Sequence, residues 1–161
     1  MITIVKSPNA DSRSVNQDFS CEKLRTDTQS HIRDVSEGLN FMAELIKARG
    51  PIHDHTKLDM LEEFCAALSS GHIKDTEWYK KHITQERHHL LSYVHDDITL
   101  VDVIEHVVDC VMAGMARSGN VYDIELPNEV LQLAVKNTVE LLKKNTHIVD
   151  SDNMLDSPIE D

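Results

Sequence analysis

The chain has 161 residues, of which 40% are hydrophobic and only 4% aromatic, with 5 glycines and 4 prolines. This length suits a single domain with a sizeable core, and the composition favours long helices. The formal net charge of -12 argues against broad binding to nucleic acid or anionic membranes, because their phosphate groups would repel the protein.

Cysteine usage and hydropathy indicate the compartment. The three cysteines are widely spaced and form no CxxC pair, which argues against disulfide staples and a thiolate zinc finger. We find no signal peptide and no apolar run long enough to span a bilayer. We therefore expect a cytoplasmic protein.

The first elements are an arm and a long helix. Residues 1–25 are expected to form an irregular N-terminal arm that starts with a short apolar strand at residues 1–5. N-cap candidates at residues 26–28 begin a helix, and Gly50-Pro51 ends it. Apolar residues recur in it at steps of three and four and predict a buried stripe: Ile32, Val35, Leu39, Met42 and Ile46.

Periodicity and capping signals predict further helices in the rest of the chain. They fall at about residues 58–70, 78–93, 100–117 and 127–145. Residues 147–161 are acidic and lack a helical stripe, so they are expected to form a mobile tail. The predicted fold class is all-α, with a compact bundle of about five to six helices in residues 26–146.

A run of metal-ligand side chains follows the first helix. The adjacent pair His53 and Asp54 can deliver an imidazole and a carboxylate to one cation, and the second carboxylate oxygen can reach another metal. Lys57 adds a compact positive charge about one helical turn later, which suits a phosphate oxygen. The alternative is that these residues only form a polar loop.

Histidines cluster in the third helix. If residues 82–89 are helical, His82, Glu86 and His89 share one face, while His88 points elsewhere. Both histidines of that face can then line a cavity beside a metal cluster or a substrate. A solvated polar face is the alternative interpretation.

The next helix carries a polar face that contains Asp102, Glu105, His106 and Asp109. We favour Asp109 as the inward carboxylate, because small residues continue its side of the helix; Asp102 is the competing candidate. Arg117 lies near the end of the same helix. It is either a substrate-binding cation or only a favourable charge at the helix C-terminus.

The order of these residues resembles the HD-domain superfamily of metal-dependent phosphohydrolases. The order is His31, then His53-Asp54 with Lys57, then the histidines at 82, 88 and 89, and then a late aspartate. Residues 53–57 resemble the HD-x-x-K form of HD-GYP-type members, although the Gly-Tyr-Pro portion is missing and the gap from His31 to His53 is short. A longer pattern looks closer to a small uncharacterised family of phage and bacterial HD-like proteins. It consists of His31-Ile32, His53-Asp54, Thr56-Lys57, Trp78, His88-His89, Glu105 and Asp109. The resemblance covers about residues 30–119; a second pair, His95-Asp96, ranks lower because no lysine follows it.

The resemblance implies an HD-domain-like bundle with a metal centre. It makes four residues ligands of a first metal: His31, His53, Asp54 and Asp109. Asp54 would bridge to a second metal bound by His82 and by His88 or His89, and Lys57 would contact the phosphate. The cofactor would be one or two divalent ions of Mn, Fe, Co or Zn, with Mg as a further candidate.

We therefore predict hydrolysis of a small phosphorylated substrate, most simply a nucleotide, through a metal-activated water. Asp54 and Lys57 are the predicted catalytic residues. One alternative is an HD-like di-iron oxygenase, and another is a module that binds a nucleotide or a host protein without turnover. We expect no extended nucleic acid or membrane as partner, and homo-oligomers are compatible with this prediction. A phage-encoded protein would act in the host cytoplasm.

Overall fold

The computed structural model describes residues 1–6 and 20–150. These residues are mostly helical, which confirms the predicted all-α class, and the sheet consists of two five-residue strands. None of the helices described is both long and apolar enough to cross a bilayer. The elements in chain order are β1 Ile2–Lys6, α1 Cys21–Arg49, α2 His55–Asp59, α3 Leu61–Ser69, α4 Glu77–Gln85, α5 Leu100–Ser118, α6 Asn128–Asn145 and β2 Thr146–Asp150.

The chain divides into two compact units, Met1–Ala43 with Leu141–Asp161, and Glu44–Glu140. In the first unit, β1 pairs with β2 in parallel, with Ile2 opposite Thr146. The prediction of a mobile tail is therefore wrong for residues 147–150, because their backbone pairs with the N-terminal strand. The rest of that tail, and residues 7–19 of the predicted arm, lie outside the described residues.

The first helix begins earlier than its sequence signals predict, and its apolar residues are more exposed than predicted. It starts at Cys21, where the side chain of Ser20 accepts a hydrogen bond of 3.1 Å from the Lys23 amide. The predicted buried stripe is wrong, because none of its five residues is buried and three of them are exposed: Ile32, Val35 and Leu39. Around them, the described part of the first unit supplies only two short strands and the end of α6 as cover.

The core of the second unit fixes the segment between α4 and α5. It is formed by Leu90, Ile98, Val130 and Ala134. The Asn137 side-chain amide donates to the carbonyls of Asp96 and Ile98, at 2.9 and 2.8 Å. The Leu100 amide donates to Thr138 Oγ1 at 2.8 Å, so α6 also satisfies a free amide of the first turn of α5. This irregular segment is thus anchored at both its apolar and its polar groups.

The third predicted helix is shorter than expected. Thr76 caps α4, which ends at Gln85 rather than continuing to residue 93. Glu86 is extended, with φ -87° and ψ 104°, and its carboxylate accepts from the amide and hydroxyl of Thr56 at 2.9 and 2.6 Å. These long-range bonds replace further helical turns. The predicted helical face through residues 82, 86 and 89 is therefore wrong.

Candidate metal centre

The site is built around the turn between α1 and α2. After α1, a 3-10 turn, Gly50–Ile52, brings the chain to His53 and Asp54. Asp54 has a φ of 56°, and it is the one non-glycine residue with positive φ in residues 1–6 and 20–150. Non-glycine residues adopt this conformation at a cost, and such strain is concentrated at functional sites.

The carboxylate of Asp54 lies at the centre of a cluster of imidazoles. Its Oδ1 is 3.5 Å from His82 Nε2 and 3.7 Å from His88 Nε2. Its Oδ2 is 3.6 Å from His53 Nε2 and accepts a hydrogen bond from Lys57 Nζ. Oδ1 is buried and has no hydrogen-bond partner within the described part of the chain. A buried, unpartnered carboxylate oxygen is costly, and a cation beside it would remove that cost.

Three groups of candidate ligand atoms in the described chain share Asp54; one of them joins it to His82 and Glu86, and the other two form the first and the second set. Both sets have ligand atoms within 4.8 Å of one another: His53, Asp54 and Asp109 in the first, and Asp54, His88 and His89 in the second. In the first set, Asp109 Oδ1 is 3.4 Å from His53 Nε2. Beside the second set, His82 Nε2 is 2.7 Å from His89 Nε2, which is a hydrogen-bond distance, so one of these two imidazoles donates to the other. The structure thus brings both His88 and His89 to Asp54, and the helical-face argument for choosing between them no longer applies.

Glu105 of α5 lies beside two of the histidines. Its Oε1 is 3.1 Å from His53 Nδ1 and 3.4 Å from His88 Nδ1. Arg49 Nε lies 3.6 Å from the other oxygen of Glu105, which has no hydrogen-bond partner in the described chain. Of these two nitrogens, His53 Nδ1 is hydrogen-bonded to Glu105, whereas His88 Nδ1 has no hydrogen-bond partner in the described chain. In metal sites, a histidine ligand commonly donates its other ring N–H to a carboxylate, which fixes the orientation of the ring.

Thr56 orients the third histidine. Its hydroxyl donates to Glu86, so it is free to accept a hydrogen bond of 2.6 Å from His82 Nδ1. That bond favours the Nδ1–H tautomer of His82, whose Nε2 then accepts a hydrogen bond of 2.7 Å from His89 Nε2 and lies 3.5 Å from Asp54 Oδ1. Thr56, His82 and Glu86 are all buried, so water does not compete for these bonds.

The pKa values of the site favour charged carboxylates and two neutral imidazoles. Burial lowers the pKa of His82, and burial together with the nearby histidines lowers the pKa of His89 to about 4. Burial opposes a charge on Asp54, yet Lys57 holds the pKa of this carboxyl below its usual value. For His53, the effect of burial is outweighed by the bond with Glu105 together with the negative charges of Asp54, Asp109 and Glu105, and its pKa is raised. Neutral imidazoles beside ionised carboxylates are in the protonation states that bind metal.

A family model matches residues 21–151, which span the whole of this cluster. The chain belongs to the DUF5662 family. This is described as a family of unknown function. Comparisons with the curated proteins and with the solved structures give no match.

Three predicted residues of this DUF5662 chain belong to neither set of ligands. His31 is exposed on α1 in the first unit, and no group of candidate ligands among the described residues includes it. Asp102 is fully buried and pairs with Arg49 and Arg87 at 2.7 and 2.8 Å, so it is taken up by structural ion pairs. Arg117 is exposed on α5, eight residues or about 12 Å beyond Asp109 along the axis.

Glu105 and Thr56 contact the candidate ligands, but no role was predicted for them from the sequence. Glu105 precedes Asp109 by four residues on α5, and this spacing placed both on one helical face. That signal could have identified Glu105 as a partner of the site. Thr56 lies inside the motif of residues 53–57, but a threonine there carries no signal of its own. Its role depends on Glu86, thirty residues later in the chain.

A mostly apolar cavity of about 270 Å³ adjoins the first set of ligands. Its polar lining residues are His53, Asp109, Glu105 and Arg49. Five apolar side chains complete most of the wall: Ile46, Val101, Ile104, Val108 and Met112. Four of them lie along α5, beside the stripe that carries Glu105 and Asp109. The cavity and the first set of ligands therefore share a wall.

Proposed function

We propose that the Glu44–Glu140 unit is a metal-dependent phosphohydrolase that acts on a small phosphorylated substrate. The observation that carries this proposal is Asp54 Oδ1, a buried oxygen without a hydrogen-bond partner in the described chain that faces His82 and His88 Nε2. A set of nitrogen and carboxylate donors suits divalent Mn, Fe, Co or Zn.

The residues present fit one or two ions. His53, Asp54 and Asp109 would hold one ion, and Asp54 with His82, His88 and His89 would hold the other. When bound, such ions polarise a phosphoryl oxygen and lower the pKa of water to about 7, which supplies hydroxide at neutral pH. Asp54 Oδ2 lies near His53, and Asp54 Oδ1 lies near His82, so the two ions would share this carboxylate.

The remaining residues keep the ligands in place and balance charge. Glu105 and Thr56 hydrogen-bond the Nδ1 atoms of His53 and His82, whose Nε2 atoms lie 3.6 and 3.5 Å from the carboxylate of Asp54. Lys57 is half-buried beside Asp54 and is the cation placed to meet a phosphate oxygen. Preorganised positive charge near the developing charge on phosphorus is the largest expected contribution of the protein itself.

The test is hydrolysis of p-nitrophenyl phosphate and bis(p-nitrophenyl) phosphate by protein loaded separately with Mn, Fe, Co or Zn. We expect turnover with at least one metal, and a loss of kcat of about 100-fold or more in Lys57→Met. Asp59→Asn, an exposed position on the same helix, is the matched control and should retain activity. Turnover that Lys57→Met leaves unchanged would contradict the assigned role of Lys57. Absence of turnover with all four metals would contradict the function, and iron-dependent oxygen consumption in its place would support an oxygenase.

A further inference from the structure

The cavity beside the first set of ligands has a polar end and an apolar body. His53 and Asp109 form part of the polar end, and Val108 and Met112 lie at the exposed rim, with 51% and 58% of their surface accessible. A volume of about 270 Å³ is below the usual range for drug-sized ligands, so it suits a small group. The opening and the ligands are within one unit of the chain.

Some polar side chains of the wall are paired with one another, whereas Glu105 Oε2 is buried without a hydrogen-bond partner in the described part of the chain. Arg49 bonds Asp102 at 2.7 Å and lies 3.6 Å from Glu105. Glu105 accepts from His53, and Asp109 lies against the other nitrogen of that ring. Five apolar side chains form most of the wall, so the polar contacts available to a ligand are confined to the part of the lining that these few groups supply. A ligand group with many donors and acceptors would lose its water there without replacement.

We propose that this cavity binds the uncharged ring or short alkyl group of a phosphoester, with the phosphate at His53 and Asp109. The inference rests on the proposed function and narrows its substrate class to esters of compact, weakly polar alcohols or phenols. His53 and Asp109 belong both to the lining of the cavity and to the first set of ligands, so the charged end of such a molecule would lie at this part of the wall. A nucleobase, with its hydrogen-bonding edges, fits this lining less well than an apolar ring.

The experiment compares binding of phenylphosphonate and methylphosphonate to the metal-loaded full chain by isothermal titration calorimetry. The two probes carry the same charged group and resist hydrolysis, so the ratio of their Kd values reports the apolar group alone. Burial of the ring predicts that phenylphosphonate binds about tenfold or more tightly than methylphosphonate. Met112→Glu, at the rim of the cavity, should abolish most of this preference. Met115→Glu is the matched control, because it is similarly exposed on the same helix but does not line the cavity.

Each outcome separates this inference from the proposed function. A phenyl preference that Met112→Glu removes supports the cavity, even if no phosphoester is hydrolysed. Hydrolysis without a phenyl preference supports the function and overturns the cavity inference. Failure to bind either phosphonate also overturns it. A second copy of the chain is the competing occupant of the rim, and sedimentation of the same variants tests it. If Met112→Glu dissociates an oligomer and leaves the Kd ratio unchanged, the rim is a contact between copies of the chain.

Discussion

Replacing Asp54 with glycine would show what this residue costs the fold. Its φ of 56° costs a non-glycine residue about 1 kcal/mol, and the buried, unpartnered Oδ1 costs about 1–3 kcal/mol. Glycine removes both costs. The losses are the half-exposed ion pair with Lys57, about 0–1 kcal/mol, and the greater freedom of glycine in the unfolded chain, about 0.5–1 kcal/mol. We therefore expect Asp54→Gly to raise the free energy of unfolding of the metal-free protein by about 1–2 kcal/mol.

Urea unfolding in the presence of a chelator measures this change. Asp59→Gly is the control, because Asp59 is exposed and helical and gains no relief of strain. It should lose a few tenths of a kcal/mol through helix propensity. An Asp54→Gly protein that is less stable than wild type by about 1 kcal/mol or more would refute the reasoning. Asp54 would then stabilise the fold, and its geometry would be no sign of a functional site.

Further substitutions separate the structural residues of the second unit from the proposed ligands. Asp102→Asn should lower the free energy of unfolding by about 3–5 kcal/mol in urea titrations, because two buried arginine contacts lose their charge partner. Asp109→Asn should stay within about 0.5 kcal/mol of wild type, and equal losses in the two variants would contradict this division. Glu105→Gln should weaken metal binding about 10–100-fold in calorimetry, because it removes the carboxylate beside two histidines; an unchanged affinity would exclude that role. Leu90→Ala should cost about 2–5 kcal/mol in the same urea assay, and a loss below about 1 kcal/mol would show that the core collapses around it.

The helices with clear local signals were predictable from sequence. Thr99 marks the start of α5, and its capping box with Asp102 is present. Pro127 precedes α6 directly, and Asn145 ends it as predicted. In these cases the cap, the periodicity and the tertiary contacts agree. Local sequence therefore sufficed.

The segments that differ from prediction are those in which long-range contacts override local preference. Residues 86–93 continue a helical pattern, but Glu86 bonds Thr56 and Arg87 bonds Asp102, and the chain leaves the helix there. At the C-terminus, β2 contains the β-branched residues expected of a strand, yet its partner β1 lies about 140 residues earlier in the chain. Pairing over such a separation leaves no periodic signal in the sequence.

The candidate site was predictable in residue type but not in arrangement. The His53-Asp54 pair identified its centre, since two adjacent ligands need no knowledge of the fold. The proximity of His82 and His89 comes from the turns after Gln85, which bring their Nε2 atoms to 2.7 Å. On a continuous helix these residues would lie about 10 Å apart along the axis. The supporting role of Glu105 likewise depends on packing of α5 against the motif.

Elemental analysis of the purified protein tests the central claim, a metal centre at Asp54, most directly. Wild type, Asp54→Gly and the control Asp59→Gly are purified identically and measured for Mn, Fe, Co and Zn. The account predicts near-stoichiometric metal in wild type and in the control, and loss of metal in Asp54→Gly, although this variant is expected to be the more stable protein. Absence of metal from wild type even after reconstitution, or equal metal in Asp54→Gly, would contradict the account.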